Sequence, residues 1–150
     1  MFLLGQKVIT LLDTGATHNF IDARLVERRG IHTENFEGIR VKVADGYTLK
    51  CDRMIRNLPM RLNNFEFKAD FYVVNMGDTD MVLGMTWLHD IGIFTLNLRE
   101  MEMKFEMDGK THVLKALKDT SCRCISFRRM EHLLHHDMVE WATRCVLMPT

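Results

Sequence analysis

One acidic residue stands directly after an apolar run near the start of the chain, and this feature constrains the fold more than any other. Val8 to Leu12 are followed at once by Asp13, Thr14 and Gly15. An ionised carboxylate beside Leu and Ile loses much of its hydration, so something must compensate for it. Gly15 lets its own N–H approach that carboxylate, and Thr14 adds a hydroxyl that can hold the loop. The alternative interpretation is a β-turn whose Asp bonds its own backbone.

Two segments together favour a catalytic interpretation. Residues 11–21 read LLDTGATHNFI, and residues 81–88 read MVLGMTWL. Together they resemble retropepsins, the homodimeric aspartic proteases of retroviruses and retrotransposons, and in particular the gypsy-type retrotransposon proteases of plants. The resemblance covers roughly residues 1–117. It implies that Asp13, Thr14 and Gly15 form the catalytic loop and that the second segment crosses behind them as a ψ-shaped support.

The resemblance also implies where substrate binds. The hairpin through Ala44-Asp45-Gly46-Tyr47 stands where the family has its flap, and an ordinary surface hairpin is the alternative. Thr17 stands where many retroviral relatives have an acidic residue that holds the substrate backbone. In the family, Thr14 hydrogen-bonds across the dimer. The implied substrate-binding residues are Ala16, Thr17, Ala44, Asp45, Gly46, Tyr47, Val82, Leu83 and Gly84.

The number of suitable carboxylates bears on assembly. The aspartic mechanism uses two, one as general base on a water and the other, protonated, to polarise the scissile carbonyl. Two such groups about 3 Å apart share one proton, because like charges that close cannot both ionise. The sequence holds a single D-[ST]-G, while Asp78-Thr79-Asp80 and Asp108-Gly109 lack a preceding buried strand. Either a second copy of the chain completes the site across a twofold axis, or there is no active site.

Alternation of apolar and polar residues predicts an all-β domain with one or two short helices. The resemblance implies that each copy of the homodimer is a retropepsin-like closed β-barrel. The first predicted elements are a strand over Lys7–Leu12 after a Gly5-Gln6 turn and a helix that Asp22 caps and that runs through Arg29 to Gly30. Two hairpins follow, one joining Ile39–Val43 to Thr48–Asp52 and the other joining Leu58–Leu62 to Phe65–Val73. The last predicted strands run through Phe94–Leu98, Met101–Met107 and Lys110–Leu114.

The last part of the chain has a different pattern. From Phe127 to Cys145, apolar residues recur at i, i+3, i+4 and i+7, which predicts an amphipathic helix. We therefore divide the chain into a protease domain, residues 1–117, and a helical tail or linker, residues 118–150, towards a following polyprotein domain.

Composition excludes several classes of function. The formal net charge is zero, which argues against nucleic-acid binding by this domain. The sequence shows no apolar run of transmembrane length and no signal peptide, so we expect a cytoplasmic protein with reduced thiols and no membrane partner. His132, His135 and His136 share a helical pattern near Cys122 and Cys124, but the spacing fits no zinc site, and exposed helical histidines are the favoured interpretation. We expect no metal and no cofactor.

Two functional hypotheses remain from the sequence. The first is an aspartic endopeptidase that acts as a homodimer on extended polypeptide, with a retrotransposon polyprotein as its natural substrate. The second is an inactive, domesticated or truncated relative that serves as a dimerisation or peptide-binding module. The intact Asp13, Thr14 and Gly15 favour the first. His18, which has no nucleophile in a recognisable setting, is expected to be structural and to bond the loop backbone.

Overall fold

The computed structural model describes residues 1–42, 48–76, 79–116 and, for the backbone, 145–147. In these ranges the fold is mostly β with two short helices, as the alternation predicted. The elements are β1 Phe2–Leu3, β2 Gln6–Lys7, β3 Thr10–Leu12, β4 Phe20–Asp22, α1 Ala23–Arg29, β5 Glu34–Lys42, β6 Thr48–Leu62, β7 Phe65–Val74, β8 Met81–Leu83, α2 Met85–Ile91, β9 Phe94–Asn97, β10 Glu102–Met107, β11 Lys110–Lys115 and β12 Cys145–Leu147.

Two sheets organise these strands. The large sheet has the order β12-β3-β8-β4-β7-β6-β1-β2, with β5 also paired to β6, and the small sheet has the order β11-β10-β9. The large sheet is curled but open, because β12 and β2 stand at its two ends and are not paired with each other. The closed barrel implied by the resemblance is therefore wrong for the described residues. Since β2 is only two residues long with both side chains exposed, it offers too short a hydrogen-bonding edge to close the sheet.

The two predicted hairpins of the large sheet are present. In the β6–β7 hairpin Leu62 faces Phe65, and Asn63 adopts a positive φ of 55° at the turn. One face of β7 packs inward, as the alternation predicted, through Phe65, Phe67, Ala69, Phe71 and Val73. The β5–β6 stem is also present and ends with Lys42 opposite Thr48. Its tip, which holds the predicted flap residues Ala44, Asp45, Gly46 and Tyr47, lies outside the described residues.

Helix α1 begins and ends as predicted. The Asp22 side chain accepts a hydrogen bond from the Arg24 N–H at 3.0 Å and so caps the first turn. Gly30 has a left-handed φ of 59° and donates its N–H to the Glu27 carbonyl, and the Ile31 N–H donates to the Val26 carbonyl. These caps satisfy backbone groups that the helix itself leaves without partners.

The N-terminal strand prediction was partly wrong. Residues 7–12 do not form one strand, because β2 ends at Lys7 and β3 begins at Thr10. The turn falls one residue earlier than predicted, at Leu4 and Gly5, whose φ values are 47° and 79°. This turn lets β1 fold back on β2, a pairing of two very short strands that periodicity does not reveal.

The core joins the two sheets. Trp87 of α2 meets Phe105 of β10 edge-on at 6.0 Å between ring centroids, and Phe65 meets Phe105 at 5.4 Å. Burial of each such side chain contributes about 1.5 to 3 kcal/mol, so these contacts fix the small sheet against the large one. A second, smaller apolar cluster lies between the β5–β6 stem and the segment after β3, with Phe20, Cys51, Val74 and Val82 as its buried members.

The predicted tail contributes a strand. Cys145, placed by the sequence pattern at the end of a helix, instead begins β12, which runs antiparallel to β3 with Cys145 opposite Leu12. The helix prediction is thus wrong for Cys145. Apart from β12, no strand of the described residues pairs with the edge of β3 away from β8, and an open edge of that kind favours an added strand over a helix. The rest of the tail, including His132, His135, His136, Cys122 and Cys124, lies outside the described residues.

Candidate active site

The loop after β3 holds its acidic residue by backbone hydrogen bonds. The Asp13 N–H donates to the Leu83 carbonyl at 3.0 Å, which fixes the end of β3 against β8. The Gly15 N–H donates to Asp13 Oδ1 at 2.9 Å, and the Ala16 N–H donates to the Asp13 carbonyl at 3.3 Å. Asp13 is half-buried, while Thr14 and Gly15 are exposed. The loop therefore turns one carboxylate towards solvent from a rigid backbone.

Strand β8 lies between the two strands that this loop connects. It pairs in parallel with β3, where Leu12 faces Leu83, and antiparallel with β4, where Phe20 faces Val82. The segment from Asp13 to Asn19 therefore passes around the end of β8. This is the ψ-shaped arrangement that the resemblance implied for the two motifs.

Gly84 stands at the point where β8 meets the loop. A Cβ on Gly84 would overlap the carbonyl oxygens of Ala16 and His18, so only glycine fits there. The Gly84 N–H donates to Asn19 Oδ1 at 3.0 Å, and the Met85 N–H donates to the Ala16 carbonyl at 2.7 Å. The loop and the start of α2 are thereby locked together at backbone distance.

Asn19 is a supporting residue whose role the sequence analysis missed. Its side chain is buried and accepts from Gly84, while Nδ2 donates to the Asp70 carbonyl at 3.1 Å. Its own carbonyl accepts from the Tyr72 N–H at 3.0 Å. The sequence did carry one signal for this role, a polar amide directly before the apolar Phe20 and Ile21. An amide at such a position is expected to be buried, and a buried amide requires hydrogen-bond partners.

Comparison with known families now identifies the domain. Residues 9–92 match the family model described as the PEG10/RTL1 protease domain, a range that includes both the Asp13 loop and Gly84. The chain belongs to this family. It thus carries a retropepsin-like aspartic protease domain, and the plant gypsy-type origin expected from the sequence stays a prediction.

A solved structure supports the fold independently. The crystal structure of the retroviral protease-like domain of Ddi1 from Leishmania major is similar with a TM-score of 0.56. The two sequences are 18% identical over 73% of this chain and 86% of that chain, a likeness that shows the fold alone. A comparison with curated proteins gives no match.

The predicted substrate-binding residues of the protease domain fall into different environments. Thr17 is exposed and Ala16 is half-buried beside the Asp13 loop. Val82 belongs to the smaller apolar cluster, which also includes Ala16 at its edge. Leu83 is fully buried in the main core. Leu83 supports the loop through its carbonyl, and its place among the substrate contacts stays a prediction.

His18 contacts two side chains, and its expected structural role stays a prediction. Its Nδ1 lies 2.8 Å from Thr17 Oγ1, and its ring meets Tyr72 edge-on at 5.1 Å between centroids. The expected bond to the loop backbone is replaced by these two contacts. They fix the part of the loop that leads from the protease motif into β4.

Two further aspartates near the loop accept hydrogen bonds from the backbone. Asp80 Oδ2 accepts from the Ile9 N–H at 2.8 Å, and the Asp80 carbonyl accepts from the Asp22 N–H. Asp22 Oδ2 accepts from the Met76 N–H at 2.8 Å. Burial opposes ionisation of Asp22, but hydrogen bonds from Arg24 and Met76 outweigh it and hold its pKa below the usual value. Neither residue is free to act as a second catalytic carboxylate in the chain.

Other chemistry finds little support among the described residues. They contain no cluster of three or more His, Cys, Asp or Glu side chains suited to a metal ion. Burial raises the pKa of the Cys51 thiol, whose sulfur lies 3.3 Å from the Arg53 and Val73 carbonyls. That thiol is thus kept in its unreactive form.

In the described part of the chain, no helix is long and apolar enough to cross a membrane.

Proposed function

We propose that the protein is an aspartic endopeptidase that acts as a homodimer on extended polypeptide. The observation that supports this most is the Asp13 loop itself, because an intact D-T-G presents a half-exposed carboxylate on a backbone fixed by Leu83, Asn19 and Gly84. The fold supplies the support that this chemistry requires.

The proposed reaction uses one Asp13 from each copy. One carboxylate takes a proton from a bound water, whose oxygen attacks the scissile carbonyl carbon. The other, protonated, hydrogen-bonds to the carbonyl oxygen and stabilises the negative charge that develops on it. When the C–N bond breaks, the leaving amine takes up the proton that the first carboxylate removed from the water, and the carboxylic acid product departs. Two carboxylates and one water are the only participants besides the substrate.

The second carboxylate in this proposal comes from a second copy. The sequence contains one D-[ST]-G, and Asp22 and Asp80 are occupied by the backbone bonds that hold the loop. Thr14 and Gly15 are exposed next to Asp13, so a twofold-related loop can approach them.

The proposal extends to the setting of the enzyme. The flap residues Ala44 to Tyr47 and the exposed Thr17 are proposed to hold the substrate backbone above the carboxylates. The natural substrate is proposed to be the polyprotein of a gypsy-type retrotransposon in the cytoplasm. No metal or cofactor enters the reaction.

The test is cleavage of a peptide library by the wild-type protein and by Asp13→Asn. Asn keeps the shape of Asp but cannot act as a base, so we expect activity to fall by at least roughly 10²- to 10⁴-fold. Asp108→Asn, in the β10–β11 turn, is the matched control and should cleave as the wild type does. Activity per chain should also rise with protein concentration until the dimer saturates.

Two outcomes would contradict the proposal. Wild-type rates from purified Asp13→Asn would show that Asp13 is not catalytic. A wild-type protein that folds and assembles but cleaves nothing, with or without pepstatin, would support the inactive dimerisation or peptide-binding module instead.

A further inference from the structure

The small sheet ends in an open edge on strand β11. β11 is the last strand in the order β11-β10-β9, and among the described residues only β10 pairs with it. From outside the sheet, Asn63 Nδ2 donates to the Val113 carbonyl at 3.3 Å. The residues of an antiparallel strand alternate in the side to which their N–H and C=O point, so Thr111 also directs both groups outward. Apart from the Val113 carbonyl, these outward groups have no hydrogen-bond partner in the described part of the chain.

A groove of about 610 Å³ runs along this edge, and we call it the β11 groove. One wall is β11 from Thr111 to Leu114, and the other is the end of the β6–β7 hairpin from Arg61 to Asn64. Its volume lies in the range typical of ligand-binding sites. The free backbone groups of β11 therefore face a second wall that carries polar side chains.

Arg61 gives the β11 groove its charge. The lining residues include this one permanent cation and no carboxylate. The Arg61 guanidinium carbon lies 5.0 Å from the centre of the Phe2 ring, and none of the ion pairs formed by the described residues involves Arg61. Glu66, opposite Arg61 on β7, is not among the lining residues. A guanidinium that stacks on an aromatic ring keeps its N–H groups for a carboxylate of a ligand.

The ends of β11 indicate which kind of strand the edge accepts. Lys110 and Lys115 stand at its two ends, and only Lys115 has a carboxylate partner among the described residues, Glu102 at 2.8 Å. Lysines on an edge strand discourage pairing with another copy of the same strand. The same positive charges attract a strand that carries acidic side chains. Charge therefore favours an acidic polypeptide over a second copy of this chain.

We propose that the β11 groove is a docking site for an extended acidic segment of a partner polypeptide, which adds to β11 as a fourth strand of the small sheet. Carbonyls of the segment accept from the Thr111 and Val113 N–H groups, and an N–H of the segment donates to the Thr111 carbonyl. A carboxylate of the segment binds the Arg61 guanidinium. Backbone hydrogen bonds supply affinity in strand addition of this kind, and side-chain contacts supply specificity.

This docking site is separate from the candidate active site. The β11 groove lies at the opposite edge of the small sheet from β9, and it is β9 that shares a groove with Thr14 of the Asp13 loop. Two strand spacings, about 10 Å, separate β9 from β11. Docking therefore requires no catalysis, and the inference goes beyond the proposed function.

The first test is fluorescence anisotropy with a pool of labelled peptides about eight residues long that carry Glu at alternate positions. The wild type should bind this pool, and Arg61→Gln should raise the Kd at least about 10-fold through loss of the charged hydrogen bonds. Arg28 is the matched control, because it is exposed on α1 and is not a lining residue of the groove. Arg28→Gln should leave the Kd within about twofold, and a pool with Lys in place of Glu should bind at least about 10-fold more weakly than the Glu pool.

A second pair of variants tests the backbone hydrogen bonds. Val113→Pro removes an N–H that points away from β10, and an edge strand tolerates proline at such a position. It should raise the Kd for the Glu pool at least about 10-fold. Val113→Ala keeps the N–H and should bind within about threefold of the wild type. Urea unfolding of both variants checks that the fold is intact.

Hydrogen exchange of the unmodified protein locates the bound peptide. The Thr111 and Val113 amides should exchange fast in the free protein and more slowly when the Glu pool is added, while amides of β9 should not change. Asp13→Asn should bind the pool as the wild type does, so loss of cleavage and loss of docking are distinguishable.

Several results would overturn the proposal. A wild type that does not bind the Glu pool with a Kd below about 1 mM, or an Arg61→Gln variant that binds like the wild type, would each do so. Equal affinity for the Lys pool would show that the groove does not select acidic segments. Slow exchange at Thr111 and Val113 in the dilute free protein would mean that the edge is already covered, and slowing on concentration of the protein alone would identify the occupant as a second copy.

Discussion

The Asp13 loop and the β9 segment, Ile93–Leu98, lie next to each other, but the loop is held by hydrogen bonds whereas the side chains of the β9 segment are largely exposed. The loop is closed by hydrogen bonds within one chain, from Gly15 to its carboxylate and from Gly84 to Asn19. The β9 segment is left apolar and exposed, with Leu98 at 64%. The difference shows that one chain supplies the whole backbone support of the loop but leaves the neighbouring edge uncovered among the described residues. If the proposed homodimer forms, folding and association draw on separate residues.

We expect the two regions to respond differently to substitution. Substitutions behind the loop should lower the free energy of unfolding of the single chain, whereas substitutions on the β9 segment should change association and leave that free energy within about 0.5 kcal/mol. The predictions below test the loop side of the comparison, in order of decreasing effect.

Gly84→Ala should have the largest effect. The added methyl group meets the carbonyl oxygens of Ala16 and His18, which belong to backbone and cannot rotate away. We expect a loss of about 3 kcal/mol or more in the free energy of unfolding, measured with urea.

The control for Gly84→Ala separates steric overlap from backbone conformation. Gly92 has a φ of 71° and open space around its Cα, so Gly92→Ala should cost only about 1 to 2 kcal/mol through backbone strain. Equal losses for the two variants would show that the close approach at Gly84 contributes nothing beyond the loss of a glycine.

Asn19→Ala should have the next largest effect. It leaves the Gly84 N–H and the Asp70 carbonyl without their partner, and we expect a loss of about 2 to 3 kcal/mol in the free energy of unfolding. The exposed Asn35 on β5 is the matched control, and Asn35→Ala should change stability by less than about 0.5 kcal/mol. If the two variants unfold at the same urea concentration, Asn19 does not hold the loop.

Asp22→Asn should have the smallest effect, and one that depends on pH. The Asn side chain can still cap α1, but it loses the ion pair with Arg24 and places its own N–H against the Met76 N–H. We expect the free energy of unfolding to fall by about 1 to 2 kcal/mol at pH 7. The folded-state pKa of Asp22 lies below 3.8, so the ionised carboxylate stabilises the fold above that pH. The stabilisation disappears as the pH falls through the folded-state pKa.

Urea unfolding at pH 7 and near pH 3 measures this difference. The gap between wild type and Asp22→Asn should narrow in acid, while Asp52→Asn, at the exposed ion pair with Lys50, should show no measurable gap at either pH. A gap of constant size would mean that the charge of Asp22 contributes nothing. Because the effect of Asp22 remains at mildly acidic pH, the scaffold should stay intact where a shared-proton dyad works best.

Local features of the fold could be predicted from the sequence, and distant ones could not. The helix caps at Asp22 and Gly30 and the turn at Asn63 depend on residues a few positions away, so their patterns are readable. The Asp13 loop was also predicted, because its motif joins an unusual carboxylate to a glycine. The buried role of Asn19 was missed, since its partners Gly84 and Asp70 are far along the chain.

The strands at the edges were the least predictable. β12 was read as helix because Cys145 fitted a helical spacing, and only the free edge of β3 explains its pairing. Likewise Leu96 and Leu98 were expected simply to alternate in a strand, and nothing in that pattern shows that they stay uncovered. Whether an edge strand is exposed depends on the order of strands in the folded sheet. A short stretch of sequence carries no information about that order.

The ψ-shaped arrangement also has a consequence for the time at which the protein acquires its chemistry. Ile9 is held by Asp80, 71 positions later, and the Asp13 N–H finds its acceptor on Leu83. A chain emerging from the ribosome therefore carries Asp13 on an unbraced loop until more than half of the domain has been made. Long-range closure of this kind comes late in folding. If the proposed activity is correct, a growing polypeptide that contains this domain meets it as a protease only after the domain is whole.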